Sequence, residues 1–258
     1  MIPARKGGWF SHAFSSWFAA HAEGRLRGAF SEVRVRGLPA MREAVAGGPV
    51  LVVSNHTAWW DPLVSIVLSY RLLGTDGYAM MDAANLVKLP FFARVGAFGV
   101  ALDDPADGAR AIRYALKLLD RPGRLVWVFA QGGEVPVTAR PLVFRAGSAE
   151  IARIARAATV VPLGLRYEHG KQPAPVLWMS IGASIGERLP AIADRKADPE
   201  VVRRAQESAV TRELDRIDRA IVEGHDEGFE VLFRRPEGPG SRVAQALLAW
   251  ATRPRARI

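Results

Sequence analysis

From residue 48 onward, apolar positions along this chain fall into two alternating patterns. Short continuous runs have the length and the β-branched or aromatic content of buried strands. They are 49–53 (PVLVV), 77–81 (GYAMM), 96–102 (GAFGVAL), 125–130 (LVWVFA), 159–166 (TVVPLGLR) and 175–181 (PVLWMSI). The stretches 62–73, 106–119, 145–157 and 199–223 instead repeat their apolar residues at helical spacing. Apolar strands separated by helices predict an α/β fold with a mostly parallel central sheet covered by helices. Such sheets bind ligands beyond the carboxyl ends of their strands. His56 and Gln131 each stand just past such an end.

The two ends of the chain read differently. Residues 9–30 predict a helix. On a helical wheel Trp9, Phe10, Ala13, Phe14, Trp17 and Phe18 share one half, and Ser11, His12, Ser15, Ser16 and Ala19 the other. Arg5 and Lys6 precede this helix, and Arg25, Arg27, Arg34 and Arg36 accompany its end. Two readings stand: an amphipathic helix lying in a membrane interface, or a helix docking its aromatic face on the protein's own core. Residues 236–241 (PEGPGS) break the pattern before a basic tail with an apolar stripe, a candidate second surface contact. The expected division is a membrane-association segment at 1–36, a main domain at 37–235 and the tail at 236–258.

Composition narrows the class. A chain of 258 residues, 49% hydrophobic and 24% charged, is globular and can bury a full core in one domain, or in one domain plus a small appendage. The absence of cysteine excludes disulfides, thiolate metal sites and a cysteine nucleophile. A net charge of +9 favours polyanions such as an anionic membrane surface. Nucleic acid fits less well, because the aromatics cluster on a helix face instead of interleaving with cations. No apolar run reaches the ~20 residues that span a bilayer, and no secretory signal is expected.

The chemistry concentrates in residues 54–62, SNHTAWWDP, between a strand-like and a helix-like run. Asp61 before Pro62 reads as a helix N-cap, with proline at the first helical position. It also stands five residues from His56, close enough across a tight turn to orient the imidazole and support it as a general base.

N-H-x-x-x-x-D-P after an apolar strand resembles the first motif of the lysophospholipid (glycerolipid) acyltransferase family. The resemblance runs over residues 35–190. RVGAFGVALDDP (94–105) stands at the family's second motif, VFAQGGEVP (128–136) at the third, LVFRAGSAEIA (142–152) at an aromatic–basic–Gly–Ala helix start, and TVVPLGL (159–165) at the fourth. The resemblance implies O-acyl transfer from a thioester of coenzyme A or acyl carrier protein to a hydroxyl of a membrane lipid. It implies His56 as the base and Asp61 as its orienting partner, with no covalent enzyme intermediate, metal or further cofactor. It also implies a peripheral location on the cytoplasmic face of the cell membrane. Asn55, Trp59 and Trp60 lie inside the motif as candidate substrate contacts, the tryptophans as acyl-path lining or as packing.

The chain departs from the family at charged positions. Asp104 and Glu134 replace the arginines that end the second and third motifs, and Gln131 and Gly133 replace a glutamate and a threonine. Two like charges ~4 Å apart cost ~4 kcal/mol at an effective dielectric of 20, so a phosphate-bearing acceptor is disfavoured. Arg110, Arg113, Arg140 and Arg145 are candidate replacement cations, and Gly132 and Gly133 would allow close backbone approach to a ligand. Two rival readings remain. One is a membrane-attached lipid-binding protein without catalysis. The other is a serine esterase built on the G-x-S-x-G match at 182–186, with Ser184 as nucleophile and Asp215 or Asp218 and His225 completing it.

Overall fold

The computed structural model describes residues 1–170, 172–188, 197–224 and 228–235. The elements run α1 (Gly8–Ala29), β1 (Glu32–Arg36), α2 (Leu38–Gly47), β2 (Val50–Ser54), α3 (Asp61–Val67), β3 (Asp76–Asp82), α4 (Ala83–Lys88) and β4 (Ala97–Val100). They continue with α5 (Pro105–Leu118), β5 (Arg124–Phe129), α6 (Gly147–Ile154), β6 (Thr159–Glu168), β7 (Val176–Ile181), a single turn α7 (Ile185–Arg188), α8 (Pro199–Glu223) and β8 (Glu230–Arg234). A π-turn, Leu68–Leu72, prolongs α3, and a 3₁₀ helix, Pro90–Val95, links α4 to β4.

The strands form one eight-stranded sheet in the order β4-β3-β5-β2-β6-β7-β1-β8. Its pairs are parallel except β6–β7 and β1–β8. The expected α/β architecture with a mostly parallel, helix-covered sheet is present. Strand β2 is buried along its whole length because helices cover both faces. Val50 and Val52 face a core shared with α1, α3 and α4, while Leu51 and Val53 face one shared with α5, α6 and α8.

Three features differ from the sequence expectation. Strands β1 and β8 complete one side of the sheet, but β1 alternates valine with charge and β8 is an exposed edge, so neither carries a buried-strand run. Residues 1–36 are not a separate segment: Ile2 exchanges backbone hydrogen bonds with Gly99 at 3.0 and 2.7 Å, Lys6 pairs with Asp76, and β1 lies within the sheet. Helix α1 buries the row Ser15, Ala19, Ala22 and Leu26, mostly from the half of the wheel opposite the aromatics. The small residues Ser15, Ala19 and Ala22 let α1 approach closely, and Ser15 Oγ donates to the Arg94 carbonyl at 3.3 Å. Phe14 and Phe18 are left half-buried and Trp17 exposed. Among the described residues no helix is long and apolar enough to cross a membrane. The basic tail, 236–258, lies outside the described residues.

One turn is specified by sterics alone. Gly37, between β1 and α2, has φ +80°, and a Cβ there would stand 2.2 Å from the Ile181 carbonyl oxygen. Gly37→Ala is expected to destabilise the fold by about 2–4 kcal/mol, from the left-handed backbone penalty and the overlap together. Urea unfolding measures this; a loss below 1 kcal/mol, roughly the Gly-to-Ala entropy difference, would show that the turn relaxes freely.

Candidate active site

The site is built where β2 stops. Ser54 is its last residue, and the buried Asn55 side chain continues the ladder in place of backbone. Asn55 Nδ2 donates to the Leu165 carbonyl at 2.9 Å and Oδ1 accepts from the Leu165 amide at 2.8 Å. Asn55, expected as a substrate contact, is therefore a strand staple. The chain then turns away from the sheet, and the loop after β5 fixes its path. The His56 N–H donates to Gln131 Oε1 at 2.8 Å, and the His56 carbonyl accepts from the Val135 amide at 2.8 Å. Gln131 thus positions His56 through its backbone.

The imidazole is held from several sides. Nδ1 lies 2.7 Å from Asp61 Oδ2, and the ring stacks on Phe129 with centroids 4.9 Å apart. The His56 side chain is 19% exposed and that of Asp61 0%. Asp61 Oδ2 also accepts from the Thr57 and Ala58 amides at 2.7 and 3.1 Å, and Oδ1 accepts from the Tyr167 hydroxyl at 2.6 Å. The donors compensate the burial of a carboxylate. With Nδ1–H donating to Asp61, Nε2 is the acceptor that remains on the ring.

One sequence expectation changes here, and one residue joins the site. Asp61 is not the N-cap of α3; that position belongs to Trp60, and the Asp61 carboxylate reaches backward to the loop at 57–58. Tyr167, at the far end of β6, carries no motif of its own in the sequence. Its phenol is pushed well above the usual tyrosine range, by burial first and by the neighbouring Asp61 second, so it remains a hydrogen-bond donor. Only the length of β6, which carries it past the end of β2, hints at this role.

His56 lines an apolar cavity of about 280 Å³ that runs between α3 and β3 to Tyr70, Tyr78 and Trp127. Trp59 and Glu134 line it too, whereas Trp60 packs edge-on against Phe30 at 5.3 Å. The other expected contacts are engaged elsewhere. Asp104 caps α5, accepting from the Ala106 and Asp107 amides at 2.9 and 3.2 Å, and lies 3.6 Å from Arg110. Arg145 crosses Gly132, donates to the Leu102 carbonyl at 3.0 Å and borders a second cavity on the opposite face of the sheet. Gly132 (φ +78°) is thus approached by that side chain, and Gly133 has nothing nearby. Arg140 donates to the Val137 carbonyl and lies 3.9 Å from Asp218. Ser184 lines a different cavity with Met41 and Thr159, Asp218 is held by Arg166, and His225 lies outside the described residues. Among the described residues no three His, Asp or Glu side chains gather as a metal ion would need.

Fold and site together define an α/β enzyme with a histidine–carboxylate pair at the mouth of an apolar cavity. The profile of the Acyltransferase family matches residues 32–166, just over half the sequence, and the chain belongs to that family. Its fold is similar to that of the 1-acyl-sn-glycerophosphate (LPA) acyltransferase PlsC from Thermotoga maritima, with a TM-score of 0.55, 17% identity and 79% of each chain covered. No curated protein matches its sequence.

The staple at the end of β2 has a measurable consequence. Asn55→Ala strands the buried Leu165 N–H and carbonyl, and is expected to cost about 2–4 kcal/mol of stability. Urea unfolding would register that loss, while the KM for either substrate stays near the parent's. A stable variant with a raised KM would return Asn55 to the substrate site.

Proposed function

We propose that this acyltransferase moves a fatty acyl group from a thioester, of coenzyme A or acyl carrier protein, to a hydroxyl of a membrane lipid of lysophospholipid type, with or without a phosphate. The observation that carries this reading is the 2.7 Å His56–Asp61 pair at the mouth of an apolar cavity. The cavity takes a hydrocarbon chain and sets the reacting carbonyl beside His56. Nε2 accepts the proton of the acceptor hydroxyl as its oxygen attacks the thioester carbon. Asp61 stabilises the imidazolium that forms. Collapse of the tetrahedral adduct expels the thiolate, which takes the proton back from Nε2, and the ester leaves. The balance closes without a metal or an acyl-enzyme.

The acceptor differs from the 1-acyl-sn-glycerophosphate for which the Thermotoga maritima enzyme is named. Glu134 lines the same cavity as His56, and the next residue, Val135, donates its amide to the His56 carbonyl. Arg140 and Arg145, the candidate phosphate grips, are turned to other partners and do not line this cavity. Asp104 drops out of the charge argument because it caps a helix, so Glu134 alone carries it. The acceptor group nearest the reacting oxygen is therefore uncharged or cationic. The protein works from the cytoplasmic face of an anionic membrane, held peripherally through α1. Exposed Trp17 and the net charge of +9 support this.

His56→Ala is expected to lower transfer by roughly 10²–10⁴-fold with the fold intact. Asp61→Asn, which removes the charge facing the imidazole, is expected to lower it by up to about 10⁴-fold. Radiolabelled acyl thioester with a lipid extract reads both, and a folded His56→Ala protein with near-parental turnover would sink the mechanism. A second panel compares lysophosphatidic acid, a lysoglycolipid, a lyso-aminolipid and a glycosylated carotenoid by kcat/KM. The latter three are expected to exceed lysophosphatidic acid, and Glu134→Arg to narrow the gap; lysophosphatidic acid as clear best would refute the charge argument.

A further inference from the structure

Helix α4 and the 3₁₀ helix after it present an apolar surface that the core does not use. Leu86 and Phe92 anchor the segment inward, and Asp82 caps it by accepting from the Ala84 amide at 2.8 Å. Between these anchors Val87 is 68% exposed and Leu89 39%, with Lys88 and Pro90 also in solvent. This surface is continuous with α1 on one side. Phe91 meets Phe18 at 5.4 Å, and Phe18 meets Trp17, 62% exposed, at 6.4 Å. On the other side, Leu89 lines the His56 cavity together with Trp59, which is 58% exposed. Exposed apolar side chains thus run from Trp17 to Trp59, and the last two of them, Leu89 and Trp59, are wall residues of the cavity.

We infer that α4 and the 3₁₀ helix are a second arm of the membrane-docking surface, and that the His56 cavity opens inside that surface toward the bilayer. This rests on the reading of the cavity as a lipid-substrate site. Charge identifies the occupant. The exposed Lys88 and Arg94 flank the band and form no ion pair among the described residues, so anionic headgroups complement them. Apolar side chains with neighbouring cations match an interface in which hydrocarbon lies below and phosphate beside. A hydrocarbon chain then passes between bilayer and cavity along Leu89 and Trp59 without exposing its methylenes to water.

The absence of cysteine allows a clean test. A single Val87→Cys substitution, labelled with an environment-sensitive fluorophore, is mixed with phosphatidylcholine vesicles with and without phosphatidylglycerol. A blue shift that is larger with phosphatidylglycerol and reversed by salt is expected; no shift on either vesicle overturns the proposal. In parallel, Val87→Glu with Lys88→Glu is expected to weaken vesicle partitioning roughly tenfold. The same variant should lose transfer to a vesicle-embedded acceptor and keep it for a soluble short-chain one. Parental partitioning by this folded variant also overturns the proposal. Failure of the acyltransfer reading is separate: it appears as no transfer by the parent in either assay, whatever the fluorophore reports.

Discussion

A buried carboxylate organises the candidate site. Asp61 is removed from water, and a charge in that position is tolerable only if the protein supplies its hydration shell. Donors come from four places: the His56 ring, the Thr57 and Ala58 amides and the Tyr167 hydroxyl. Each constrains a different part of the fold. The two amides require the 57–58 loop to fold back over the start of α3. Tyr167 requires β6 to run past the end of β2. That overhang would leave Leu165 unpaired, and Asn55 meets it. The residues beside His56 therefore serve the carboxylate before they serve a substrate.

How much was legible from the sequence follows from this. The central strands and long helices were readable, because burial on both faces or on one face leaves a simple period in the residues. Strands β1 and β8 were not, since β1 alternates valine with charge over only five residues and β8 is a mostly exposed edge, so neither forms a continuous apolar run. Helix α1 was located but its faces were weighed by residue size. Small residues such as Ser15, Ala19 and Ala22 are the buried ones, whereas Phe14 and Phe18 are half-buried and Trp17 is exposed. His56 and Asp61 were recognisable because their spacing across one turn is local. Tyr167 is more than a hundred residues away in sequence and meets Asp61 only through the β2–β6 pairing. Asp104 shows the converse: an aspartate before a proline is a helix cap on local grounds, whatever its position in a motif.

The same reasoning explains why a strongly basic chain has an active-site rim without a described phosphate grip. Its arginines are largely engaged by carboxylates and carbonyls of the scaffold. Arg166 holds Glu168 and Asp218, Arg203 holds Glu200 and Glu207, and Arg110 joins Asp104 and Asp107. Counting cations near a motif in sequence thus overestimates the positive field at the reacting oxygen. Among the described residues that line the His56 cavity, Glu134 is the one carboxylate and most of the others are apolar. The surplus charge belongs to surfaces, where cations such as Lys88 and Arg94 meet solvent or lipid. Lys88 and Arg94 do not line the His56 cavity and Glu134 does, so the surface cations and the cavity carboxylate are carried by different residues.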